Sequence, residues 1–125
     1  MITNKRIYSL QQQHIALKES EINIWNFDLD NINSKKLKLD KILSVDELIR
    51  ASKFYFEIDR DRFICSRGLL RILSGVYTGI SSKEINFTFN DYESLYYQPC
   101  TINPVCILIF LTVSNLCRLA LSKMR

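Results

Sequence analysis

The chain has 125 residues, of which 47% are hydrophobic and 24% charged, with a formal net charge of +4. That is long enough for one domain with its own core, and too apolar for a disordered chain. The positive charge is scattered, with Lys35, Lys36, Lys38 and Lys41 the densest group, so no nucleic acid partner is expected.

Residues 1–20 are polar and rich in Gln, and read as a loose leader without the pattern of a signal peptide. Residues 22–29, INIWNFDL, alternate well enough to predict a strand. Residues 30–41 read as a loop with a short helical turn. Ser44 followed by Glu47 predicts a capping box, opening a helix from Val45 to about Lys53. Phe54, Tyr55 and Phe56 form a junction. A long helix then runs over 60–77, with Asp59 as its expected cap and Gly75 and Gly79 marking its end. Residues 81–84 suggest a further short turn. Residues 85–89, INFTF, alternate again and predict a second strand, expected to pair with the first and to pack on the long helix.

On the long helix, Arg60, Arg67 and Arg71 fall within a narrow sector, with Leu69, Ile72, Leu73 and Val76 opposite. Arg62 falls on the apolar side. A guanidinium pointed inward needs a partner, because an unpaired buried charge is very costly. A carboxylate such as Asp46 or Glu47 would serve. So would an anion such as a ligand phosphate, which arginine grips with a fork of donors.

After Tyr92 the pattern changes. From Glu93 to Leu121 there is one acid, Glu93, and one base, Arg118. Residues 105–113, VCILIFLTV, are almost continuously apolar. A bilayer span takes about 20 residues, so a buried strand is the reading and a membrane anchor is not expected. The cysteines Cys65, Cys100, Cys106 and Cys117 form no CxxC pair, and the one histidine, His14, lies far away. Zinc is not expected, and reduced thiols in a cytoplasm are. Cys65 reads as a small buried apolar residue.

The ordered residues Trp25, Leu43-Ser44, Asp46-Glu47, Arg50, Phe54, Arg62-Phe63, Arg67, Leu70-Arg71, Ile85 and Phe87 resemble the N-terminal half of the 4'-phosphopantetheinyl transferases. The match is to the monomeric, double-length type that activates peptide and polyketide synthetases, and covers about residues 21–92. The half-length trimeric group carries G-I-D-x-x-E and W-x-x-K-E-A-like motifs that do not occur here. The resemblance implies an α+β fold, a small antiparallel sheet packed against a long helix, equivalent to one half of a pseudo-two-fold enzyme. It implies transfer of the phosphopantetheine arm of coenzyme A onto a serine of an acyl or peptidyl carrier protein, with magnesium. It points to Arg50 and Arg62 as coenzyme A-gripping side chains, with Arg67 and Arg71 as weaker candidates. For the latter two, surface charge or a structural ion pair is the alternative.

The family pattern stops at Tyr92. Where it would give Gly-Lys-Pro, the chain has Glu93-Ser94-Leu95. The family's Ser-His-Ser segment, its D-x-E metal motif and its W-x-x-K-E helix are absent. Loss of one base accounts for the break. GGA AAG CCT minus a G reads Glu-Ser-Leu. Phe-Asn-Phe-Ser-His-Ser, read one base later, becomes Leu-Ile-Phe-Leu-Thr-Val, the residues of Leu108 to Val113. Residues 93–125 are then an apolar tail outside the family frame, and the chain is a truncated, catalytically incomplete form. The alternative is an evolved short ending, on a non-catalytic module that binds coenzyme A, a carrier protein or another partner.

Overall fold

The computed structural model describes residues 22–85, 87–89, 95–97, 105–113 and 116–123, and the expected leader, 1–20, lies outside them. Strand β1 (Ile22–Asp28) leads through a 3-10 turn at Leu29–Asn31 and another at Leu39–Lys41 to helix α1 (Val45–Ser52). Helix α2 (Glu57–Thr78) follows, then a 3-10 turn at Ser82–Glu84 and strands β2 (Phe87–Phe89), β3 (Leu95–Tyr97), β4 (Val105–Val113) and β5 (Leu116–Lys123).

Helix α1 begins where the sequence marks it. The Ser44 hydroxyl accepts from the Glu47 amide at 3.2 Å, and the Glu47 carboxylate accepts from the Ser44 amide at 2.9 Å. Two otherwise orphaned donors are thereby satisfied. Helix α2 starts earlier than predicted. Its cap position is Phe56, which offers no side-chain bond, and Asp59 lies inside the first turn. Asp59 is therefore not the cap; its charge still favours that end through the helix dipole. Gly79 closes α2 in the left-handed region at φ 76°, where a side chain would be strained, and its amide donates to the Gly75 carbonyl at 2.8 Å.

The strand pairing differs from the expectation. β1 pairs antiparallel with β5 from Ile22–Ser122 to Asp28–Leu116, and β5 pairs with β4, giving the order β1-β5-β4. The strand expected beside β1, now β2, pairs instead with β3. β2 is three residues long, whereas β5 supplies a register that runs the length of β1. The segment 105–113 is a strand, as its composition predicts.

The core lies between α2 and this sheet. Leu69, Leu70, Ile72, Leu73, Val76 and Tyr77 of α2 meet Phe27 of β1, Cys117 of β5, and Leu29, Ile32 and Leu39 of the connecting segment. The Tyr77 hydroxyl accepts from Trp25 Nε1 at 2.9 Å and Asn23 Nδ2 at 2.7 Å, which ties the end of α2 to β1.

Candidate functional site

Two cationic centres flank the start of α2, and they differ in what surrounds them. The first is Arg62. Its Nε donates to Asp30 Oδ1 and its Nη2 to Asp30 Oδ2, each at 3.0 Å. A planar guanidinium matches a carboxylate in this two-bond geometry. Asp30 is held in place by its own turn. Asp28 Oδ1 accepts from the Asp30 amide at 3.2 Å, and Asp28 Oδ2 from Asn31 Nδ2 at 2.9 Å. The hydrogen bond from Arg62 is the main reason the Asp30 carboxyl sits below its ordinary range. The same bond raises Arg62, with Asp59 and Asp28 adding to it. The Arg62 partner is thus a carboxylate, and it is Asp30, not Asp46 or Glu47. Both groups line a cleft of about 540 Å³ with Asn31, Lys35, Asp61 and Cys65.

The second centre brings Arg50, Arg67 and Arg71 together. Arg50, in the last turn of α1, and Arg67, one turn beyond Phe63 on α2, each place the guanidinium carbon 5.5 Å from the Phe63 ring centre. That is within the range of cation–π attraction. Phe54 leans on Phe63 with ring centres 5.4 Å apart, so the aromatic junction holds the platform. Arg50 is exposed at this edge and Arg67 is buried.

Arg67 and Arg71 are not on a solvated face. Both are buried, because α1 and the 82–85 segment cover that side of α2. Arg71 Nε and Nη2 reach Glu47 Oε1 at 2.7 and 2.6 Å, and Arg71 Nη1 donates to the carbonyls of Ser82 at 3.0 Å and Ile85 at 2.8 Å. Arg71 is therefore held in a buried structural ion pair, where the Arg62–Asp30 pair is partly exposed. Burial lowers the Arg67 pKa most; the positive charges of Arg50 and Arg71 lower it further, against the pull of Glu47. Arg50, Arg67 and Arg71 thus gather at the α1–α2 contact, around the Phe63 ring and the Glu47 carboxylate.

Helical spacing alone missed Phe63 as the platform and Asp30 as the partner of Arg62. Phe63 was visible only as part of the Arg62-Phe63 motif. Asp30 sits in a segment readable only as a loop, and no local signal links it to a residue 32 positions away. Among the described residues, no group of three or more His, Cys, Asp or Glu side chains could hold a metal ion, so these residues do not fit the family's magnesium. No helix among them is long and apolar enough to cross a membrane.

No protein-family model matches the sequence. The 4'-phosphopantetheinyl transferase HetI of Nostoc sp. (strain PCC 7120) is 40% identical over 81 residues, which cover 65% of this chain and 33% of that protein. The match thus spans about a third of the relative's length. Over that stretch the chain is similar to a 4'-phosphopantetheinyl transferase, and the ordered motifs from Trp25 to Phe87 lie on or beside β1, α1, α2 and β2.

Proposed function

We propose that this chain grips the phosphates of coenzyme A, the donor in phosphopantetheine transfer to a carrier-protein serine. The observation that carries this reading is the convergence of Arg50 and Arg67 on Phe63, with Arg71 behind them. Arginine forks suit phosphate oxygens, and a partly desolvated cation gains most from an anion. Arg62 stands as a flanking contact, reached through the cleft it shares with Asp30. Arg71 holds the other two from behind by fixing α2 to α1.

Gripping the donor is not transferring it. The family's magnesium supplies charge neutralisation at the pyrophosphate, and a base must take the serine proton. We infer that the chain is a truncated form lacking both, with residues 93–125 out of the family frame. A half-enzyme would expose the face that packs on the remainder. The exposed apolar residues Val45, Leu48, Ile49, Tyr55, Phe56 and Ile58 are of that kind. Incubation with coenzyme A, magnesium and apo carrier protein should leave the carrier's intact mass unchanged. A gain of the phosphopantetheine mass would overturn the truncated reading.

A second reading is a non-catalytic module with a genuine ending. It is favoured by the full-length pairing of β5 with β1 and by Cys117, fully buried in the core. The gene separates the two. Translating the other frame from codon 93 should yield Gly-Lys-Pro, Ser-His-Ser, D-x-E and W-x-x-K-E in order. Stop codons without these motifs would leave the second reading standing.

A further inference from the structure

The Asp30–Arg62 fork uses one edge of the guanidinium, Nε and Nη2. Among the described residues no hydrogen bond is made by Nη1. The fork is not sealed, since the two side chains are 21% and 44% exposed and both line the 540 Å³ cleft. Further acids stand close: Asp28 and Asp59 act on Arg62, and Asp61 lines the same cleft. An anion approaching Arg62 therefore meets a tethered carboxylate already on the guanidinium, with Asp61 and Lys35 on the same cleft wall. Asp30 cannot diffuse away, because the Asp28 cap and the buried neighbours Leu29 and Ile32 fix its backbone. A tethered competitor acts at a high effective concentration.

We propose that Asp30 is a specificity-determining residue, an internal carboxylate that restricts Arg62 to multiply charged phosphate groups. A singly charged ligand offers Arg62 no more than Asp30 does, and must also leave bulk water. A pyrophosphate or phosphomonoester carries more charge and more acceptor oxygens. It can engage Nη1 and Nη2 together and draw the guanidinium from Asp30. This rests on the reading that Arg62 contacts phosphate.

The test follows the Arg62 Nε–Hε resonance by NMR in the full chain, assigned by its loss in Arg62→Lys. The probes are inorganic pyrophosphate and singly charged dimethyl phosphate at equal concentration. In the natural chain pyrophosphate should shift the resonance and dimethyl phosphate should not. In Asp30→Asn both should shift it, with pyrophosphate bound about tenfold more tightly. A natural chain that responds alike to both probes overturns the restriction and leaves Arg62 as a phosphate ligand. A natural chain that responds to neither overturns the proposal and removes Arg62 from the coenzyme A reading, while the Arg50 contact is tested separately. An Asp30→Asn chain that behaves like the natural one overturns the role of Asp30. The natural-chain titration can overturn the proposal even if Asp30→Asn fails to fold, and Asp30→Ser then takes its place in the comparison.

Discussion

Arg71 and Glu47 form an ion pair away from water, and the consequence of breaking it lies in what is left behind. Glu47 Oε2 already makes no hydrogen bond among the described residues, and Oε1 is shared between the Ser44 amide and Arg71. Arg71→Ala would strand that carboxylate and remove the donor to two carbonyls. Loss of one partner of a buried pair typically costs about 3–5 kcal/mol. We expect a lowered midpoint in urea with an unchanged slope; a shift no larger than that of an exposed control such as Lys36→Ala would contradict the structural role. Cys65 gives a pH prediction. Burial pushes its thiol from the ordinary 9.0 up to about 11. Between those values the unfolded chain has lost the proton and the folded chain retains it. Stability is thus fully present below pH 9.0 and falls as pH rises through the interval. A Cys65→Ala chain should show a shallower decline over that range, and an identical decline would place the effect elsewhere. Iodoacetamide at neutral pH should label Cys65 only on unfolding.

At the scale of elements, α2 is held by close approach as well as by apolar contact. A Cβ added at Gly68 would lie 2.9 Å from Leu39 Cβ, and Leu39 is fully buried. Gly68→Ala should therefore cost about 1–3 kcal/mol despite the better helix propensity of alanine. Thermal melting would show this, and an unchanged or raised midpoint would mean that the 39–41 turn yields freely. What was legible in sequence follows the same division between local and distant causes. The start of α1 was readable because the capping box lies within four consecutive residues. The start of α2 was not, because Phe56 caps with no side-chain bond. Periodicity placed Arg67 and Arg71 on one sector of α2 but could not tell which neighbours cover it. That depends on α1 and the 82–85 segment folding back. The partner of β1 was likewise a matter of long-range pairing, since β1 runs from Ile22–Ser122 to Asp28–Leu116 against β5, far along the chain.

At the scale of the whole molecule, one helix organises both the core and the candidate site. The apolar stripe of α2 fixes it on the β1-β5-β4 sheet, while Phe63, Arg67 and Arg71 on its other side meet α1. The site therefore depends on the packing of α1 against α2. The family motifs were legible because they concentrate on these two helices. The tail was legible as a strand at 105–113 but not in its pairing, since an apolar run states no register. The most direct measurement of the central claim is calorimetric titration of coenzyme A into the full chain at low salt, beside Arg50→Ala and Lys36→Ala. Arg50 is exposed and contributes little to the core, so its loss should leave the fold intact. The account predicts binding by the natural chain, about tenfold weaker binding by Arg50→Ala, and little change in Lys36→Ala. Equal effects of the two substitutions, or no loss in either, would contradict a defined phosphate site at the Arg50–Arg67 platform.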